Sequence, residues 1–282
     1  MNSNDLKALK EVFFEVEHLF DSEQRKTIVK NSSVLPSATN LNFKMFNYVV
    51  RVPYASLKYF FNRNAENNNI QQVYKMTEMT PIPVYFNIET GVMVNKYTSP
   101  EIYYERKFLN FESTDNIIST INKFNGSGIY LEEAFDVPGA LALFRTMELT
   151  SHDNMLWLES FYKSSFIESD RLEPSHNDPD ATNFTVTNQM IDFEYSGMAP
   201  QLSDISNFYS MYFHHTEVDG YIRTLDLGTE IQPLVIFWTF FWSMWRLSKD
   251  PELIKSNDYT RNAKRNLAFA DELLSYYKNT LR

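Results

Sequence analysis

Two polar clusters separated by a short β-forming stretch set the tightest limit on how this chain can fold. The first is Pro174-Ser175-His176-Asn177-Asp178-Pro179-Asp180-Ala181-Thr182-Asn183-Phe184, which contains the pattern H-x-D-x-x-x-x-N. The second is Ile191-Asp192-Phe193-Glu194-Tyr195, and its Asp192 lies nine positions beyond Asn183. An Asp, an Asn and a second Asp in this order are what kinase-type phosphoryl transfer needs. One carboxylate accepts the acceptor hydroxyl's proton, while the amide and the other carboxylate hold Mg²⁺ on the phosphates of ATP. Asn183 and Asp192 reach one metal only if the chain doubles back between them. Phe184 to Phe193 is β-like, and Thr187-Asn188-Gln189 at its centre suits a tight turn.

The rest of the chain reads as an α+β protein. Leu6, Leu9, Phe13, Val16 and Phe20 recur at helical spacing after a capping candidate at Ser3 or Asn4. Phe43 to Val52 is rich in β-formers and predicts a strand, Leu57 to Met76 a helix, and Pro83 to Tyr97 a hairpin turning at Glu89-Thr90-Gly91. Beyond about Tyr97 the pattern becomes mainly helical, with helices expected over Asp115 to Phe124, Gly139 to Leu149, Met155 to Ser165, Ser203 to Phe213, Ile231 to Leu247 and Asn257 to Leu281. The expected division is residues 1–97 and 98–282. The Asn67-Asn68-Asn69 run reads as compositional.

Composition narrows the partners. A net charge of −10 argues against nucleic acid or an anionic membrane as the main partner. The absence of cysteine excludes disulfides, thiolate metal sites and a cysteine nucleophile. The uncharged run Ile231 to Trp245 is 15 residues, short of the roughly 20 that span a bilayer. A cytoplasmic location without a membrane span is expected, and the oligomeric state is not legible. His214-His215 is a poor metal candidate, since adjacent helix positions point apart.

Several segments together resemble the choline/ethanolamine kinase family, within the aminoglycoside-phosphotransferase-like kinases. They are His176-Asn-Asp-Pro to Asn183-Phe, Ile191-Asp-Phe-Glu-Tyr-Ser-Gly-Met-Ala-Pro, Asp204-Ile, Tyr48-Val-Val-Arg51-Val-Pro53 and Ser127-Gly128-Ile to Phe135-Asp136-Val. The resemblance runs from about Ser37 to Tyr259 and is most specific over residues 174 to 207. It implies a two-lobed, protein-kinase-like fold, with a small β-rich N-terminal lobe, a larger helical C-terminal lobe and the nucleotide between them. By the same resemblance Asp178 is the catalytic base, His176 braces its loop, Asn183 and Asp192 bind Mg²⁺, and Arg51, held by Glu66, meets the ATP phosphates. Asp204 supports the loop, and the adenine lies near Asn95 to Tyr97, read by backbone groups. On the residues alone, Arg51 is also compatible with a strand-edge surface charge, and Glu66 with a solvated helix position, as the lesser readings.

The family's phosphate-covering turn is normally glycine-rich. Here the matching stretch is Leu35-Pro36-Ser37-Ala38-Thr39-Asn40, and no glycine precedes Gly91. Ser37, Thr39 and Asn40 are the candidates to bond phosphate instead. For the acceptor, the resemblance implies choline or a related amino-alcohol. Trp242 and Trp245, three apart on one helix face, align with the paired tryptophans of a quaternary-ammonium cage, and Tyr259 with the tyrosine that completes it. The same aromatic segment is also compatible with plain core. The acidic residue common seven positions after the equivalent of Asp204 is Met211 here, with Glu217 or Asp219 as candidates to replace it. Two alternatives stay open: an aminoglycoside or other small-molecule phosphotransferase, and a non-catalytic binding protein on the kinase fold.

Overall fold

Strand periodicity sends Val50 and Arg51, neighbours in sequence, to opposite faces of a sheet, and in the computed structural model both are buried. Each face therefore has a cover. The structure describes residues 3–35, 40–53, 59–98, 105–225, 227–248 and 257–280. The sheet is antiparallel, with the order β1-β2-β3-β5-β4, formed by β1 (Ser32–Leu35), β2 (Asn40–Met45), β3 (Tyr48–Pro53), β4 (Pro83–Phe86) and β5 (Met93–Lys96). The single strand expected over Phe43 to Val52 is corrected to a hairpin, in which Met45 pairs with Tyr48 across Phe46-Asn47. Phe46 turns the chain at a φ of 54°. A bulky residue there carries no turn signal, which is why β-propensity ran through it.

The Val50 face is covered by α1 (Ser3–Val16). Leu9, Val12, Val16 and the following Phe20 pack with Phe43, Met45, Val92 and Val94, as the helical stripe predicts. A short helix, α2 (Ser22–Thr27), starts from a capping box at Asp21 and leads into β1. Arg51, on the other face, meets α3 (Arg63–Thr77). Asn62 caps that helix by accepting from the Ala65 N–H at 3.1 Å.

The sequence makes Asn69 look incidental; the structure does not. Asn69 is fully buried. Its Nδ2 donates to the Glu132 carbonyl at 2.7 Å and the Ser196 hydroxyl at 3.0 Å, and its Oδ1 accepts from the Glu132 N–H at 2.9 Å. One amide thus joins α3 to two segments of the helical part.

Beyond residue 105 the chain is mostly α4 (Phe111–Asn125), α5 (Val137–Thr146), α6 (His152–Tyr162), α7 (Ser203–Tyr212), α8 (Thr216–Thr224), α9 (Ile231–Ser248) and α10 (Asn257–Thr280). α9 is buried without a break from Leu234 to Trp245, against α5, α7 and α10. It is hydrophobic all round because it is enclosed all round. Among the described residues no helix is long and apolar enough to cross a membrane.

Between α6 and α7, β6 (Leu172–Ser175) pairs antiparallel with β7 (Gly197–Pro200), placing Ser175 opposite Gly197. The β-turn-β unit expected over Phe184 to Phe193 is corrected to one bridge, Phe184 to Met190. Its turn does close where predicted, with the Thr185 N–H on the Gln189 carbonyl at 2.9 Å. The ladder goes no further because short 3₁₀ turns, Ala181–Asn183 and Phe193–Tyr195, stand on either side. Pairing belongs instead to the flanking β6 and β7, which are too short to show a period.

Replacing Asn69 with Ala removes the partners of the half-buried Glu132 N–H and carbonyl and one partner of the buried Ser196 hydroxyl. The expected cost is about 2–3 kcal/mol, read as a lower urea midpoint at unchanged m-value.

Candidate active site

The antiparallel β6–β7 pair brings residues 176–180 and 192–196 side by side, and Asp204 at the start of α7 holds the first of these loops. One Asp204 carboxylate oxygen accepts from the Ser175 hydroxyl at 2.7 Å and the Asn177 N–H at 2.9 Å. The other accepts from the His176 N–H at 2.8 Å and Asn125 Nδ2 at 3.0 Å. Asp204 is 1% exposed, so these four donors stand in for water. They also fix the loop where Asn177 takes a φ of 59°, a left-handed conformation that asparagine tolerates.

The expected catalytic and metal residues follow directly. His176 bonds the Ile191 carbonyl through Nε2 at 2.8 Å and lies against the Phe193 ring, 4.7 Å between centroids. These contacts link the loop of residues 176–180 to the segment bearing Asp192. Burial lowers the His176 pKa, against the opposing pull of Asp204. Asn183 Nδ2 donates to Asp178 at its carbonyl, 2.9 Å, and at its carboxylate, 3.2 Å. The Asn183 amide oxygen is thereby turned away from Asp178. The Ile191 N–H bonds the Asn183 carbonyl at 3.0 Å, which brings Asp192 back beside Asn183. Asp192 stands at a φ of 68°, and one of its oxygens accepts from Arg51 at 3.0 Å.

Arg51 and Glu66 are not surface charges: they are 3% and 0% exposed and 2.5 Å apart. Burial works against the Arg51 charge, yet Glu66, then Glu194 and Asp192, hold its pKa above the ordinary value. Two further residues complete the cluster. Arg63 lies 2.6 Å from Glu66 and 3.1 Å from Glu194. Burial, then the neighbouring Asp192 charge, pushes Glu194 up to about 7, while Arg51 and Arg63 pull it back.

An aromatic group adjoins the loop. Tyr195 meets Trp242 edge-on at 5.1 Å, and its hydroxyl accepts from the Trp245 indole at 2.9 Å. Trp242 donates to Asn207 Oδ1 at 2.7 Å, and Asn207 Nδ2 donates to the Asn177 carbonyl at 2.7 Å. The aromatic helix is therefore wired to the loop that carries Asp178. Burial, then the Glu194 and Asp178 charges, raises the Tyr195 pKa well above its ordinary value.

The overall fold was compared with known proteins. No protein-family model and no curated protein sequence matches this chain. Solved structures do. A choline/ethanolamine kinase family protein from Mesorhizobium loti matches with a TM-score of 0.64 at 20% identity, over 89% of this chain and 94% of that one. The choline kinase LicA from Streptococcus pneumoniae, solved in complex with AMP, matches with a TM-score of 0.69 at 18% identity, over 96% and 99%. An aminoglycoside phosphotransferase in ternary complex with ADP and hygromycin B matches with a TM-score of 0.57 at 10% identity, over 90% and 99%. The chain has the two-lobed fold of the choline/ethanolamine kinases.

Within that kinase fold, Asp178, Asn183, Asp192, His176, Arg51 and Glu66 come together. Other expectations change. Trp242 and Trp245 do share one face of α9, but Trp245 is 1% exposed and enclosed by Phe60, Phe135 and Tyr195, so it forms core and not an open wall. Trp242 is 7% exposed. The Lys96 and Tyr97 N–H groups do not stand open to an adenine: they bond the Ile82 and Asn47 carbonyls at 2.9 and 2.8 Å. Asn95 lies inside β5, opposite Val49 and Pro83. Asn40 is buried at the start of β2, opposite Pro53. Ser37, Thr39 and the Tyr259 side chain lie outside the described residues. Asp219, one candidate for the acid missing at Met211, is bound to the Tyr209 hydroxyl at 2.6 Å and Arg223 at 2.8 Å.

The sequence reading missed Arg63, Glu194, Tyr195 and Asn207. Arg63 precedes Glu66 by one helical turn, and Glu194-Tyr195 follow Asp192 directly, so adjacency to expected residues was the available signal. Asn207 gave none; only packing pairs it with Asn177.

The raised Glu194 pKa has a signed consequence. An acid whose folded pKa exceeds its unfolded one binds more protons in the folded state, so its contribution falls as pH rises from about 4.5 to about 7. In Glu194→Gln the slope of the Tm-versus-pH curve is expected to become shallower over this range, with Glu133, also pushed up to about 7 by burial, keeping its share; an unchanged slope would contradict the assignment.

Proposed function

We propose that this protein is an ATP- and Mg²⁺-dependent kinase that phosphorylates the hydroxyl of choline or a related amino-alcohol. The observation that carries the reading is the convergence of Asp178, Asn183 and Asp192 through the Asn183–Asp178 and Ile191–Asn183 bonds, with Arg51 on Asp192. Similarity of fold to kinases of choline, ethanolamine and aminoglycosides supports the class.

The donor set suits Mg²⁺. That ion takes few protein oxygens and keeps waters and substrate phosphates. Asn183 presents its amide oxygen, since its nitrogen is turned to Asp178, and Asp192 has a second carboxylate oxygen beyond the one that Arg51 engages. When bound there, Mg²⁺ neutralises charge on the transferring phosphoryl group.

Asp178 does the proton chemistry. Its carboxylate, oriented by Asn183, accepts the proton of the acceptor hydroxyl as that oxygen bonds the γ-phosphorus and the bond to ADP breaks. Arg51, held by Glu66, supplies a fixed cation to the phosphates. His176, donating its Nε2–H to the Ile191 carbonyl, keeps the loop in register.

The aromatic neighbourhood favours a cationic alcohol of the choline type over a polycationic sugar. A quaternary ammonium has no N–H to donate and is recognised by aromatic faces. Trp242 is the candidate for that role: it stands beside the Asp178 loop, tied to it through Asn207, although it is 7% exposed and packed edge-on against Tyr195.

Two measurements test this. Asp178→Ala is expected to lower kcat by about 10³-fold with little change in Tm; full activity in the variant overturns the assignment. Trp242→Ala is expected to raise KM for choline by about tenfold and that for ATP far less. Equal effects on both count against recognition by the aromatic group and favour another acceptor.

A further inference from the structure

Arg63 is a partly buried cation with no part in the reaction described above, and the protein builds a place for it. Its side chain is 10% exposed. The guanidinium lies over the Phe61 ring at 4.6 Å. On another side is Gly91, where a Cβ would come within 2.9 Å of the Arg63 Nε. Gly91 also has a φ of 74°, so turn and arginine both call for glycine there.

The ion pairs form a closed, alternating ring. Glu66 divides its two oxygens, with Oε1 on Arg51 at 2.5 Å and Oε2 on Arg63 at 2.6 Å. Glu194 lies 3.1 Å from Arg63 and 3.9 Å from Arg51. Asp192 stands outside the ring, on Arg51 at 3.0 Å, and is the most exposed of the five side chains at 21%. The ring joins β3, the first turn of α3 and the loop that bears Asp192.

We propose that Arg63 is a positioning residue for the nucleotide: it occupies Glu66 and Glu194, so that the Arg51 guanidinium stays directed at Asp192 and the phosphate side of the cleft. This rests on the kinase reading. Without Arg63, Arg51 would be the one cation of the cluster facing three carboxylates. Glu194, at 3.9 Å, is the one carboxylate of the three that Arg51 does not already hold closely, and at 2% exposed against 21% for Asp192 it lies deeper, so attraction to it would draw Arg51 inward. Loss of one partner from a buried ion pair leaves a charge uncompensated, so the cluster has to rearrange.

The test is calorimetric binding of MgADP to the whole protein and to Arg63→Gln and Arg63→Lys, with acceptor KM and Tm measured alongside. The expected result is MgADP affinity weakened by about tenfold in Arg63→Gln and partly recovered in Arg63→Lys, which keeps the charge. Acceptor KM should stay within about twofold, and the affinity loss should not track Tm. Unchanged MgADP affinity in Arg63→Gln overturns the proposal. So does a parallel loss of nucleotide and acceptor affinity, which marks general loosening. If Arg63→Gln does not fold, Arg63→Lys decides alone: affinity equal to wild type overturns the proposal, and a selective loss supports it. A wild-type protein that binds no MgADP overturns the kinase reading itself, an outcome distinct from normal binding in wild type and variant alike.

Discussion

Arg51 is an arginine with almost no access to water, and its charge has to be answered inside the protein. Burying an ion costs several kcal/mol unless partners of the opposite sign stand in contact. Glu66 comes from a helix that follows the strand, and Asp192 and Glu194 from a loop far along the chain. These partners reach Arg51 only when the sheet, α3 and the helical part are assembled. The same requirement that makes Arg51 tolerable in the interior therefore joins the sheet and α3 to the helical part of the molecule.

The loop bearing Asp178 is held by a different device. Asp204 is buried and takes four hydrogen bonds, three of them from residues 175–177. Asn207, one turn further on α7, bonds the Asn177 carbonyl and the Trp242 indole. A single helix start thus fixes the loop on one side and ties it to the aromatic core on the other. Preorganisation of this kind matters for phosphoryl transfer, where the protein contributes mainly position and charge. Both Asn177 and Asp192 have positive φ, conformations that persist only when the surroundings over-determine them.

Legibility in the sequence followed chemistry and period. The loop residues were readable because the pattern H-x-D-x-x-x-x-N has fixed side chains at fixed spacings, α1 because apolar residues recur at helical spacing, and α9 because its apolar run is long enough for a buried helix. The failures were local. Phe46 ends a strand without a turn residue, and β6 and β7 are four residues each, too short to carry alternation. Asn69 looked like one of a run of asparagines, yet it is the member whose amide is buried between three segments. Trp242 and Trp245 were correctly read as sharing a face. Whether that face opens on a pocket depends on Phe60, Phe135 and Tyr195, which approach from elsewhere in the chain.

By itself the sequence determined which groups are present for chemistry and which segments are helical, since these depend on side-chain identity and local spacing. The partners of Arg51 beyond Glu66, the role of Asn207 and the closing of Trp245 into the core were decided by tertiary structure. Each depends on contacts between residues tens of positions apart. A buried charge or amide takes whichever partner the packed chain brings within about 3 Å, and spacing along the sequence does not encode that distance.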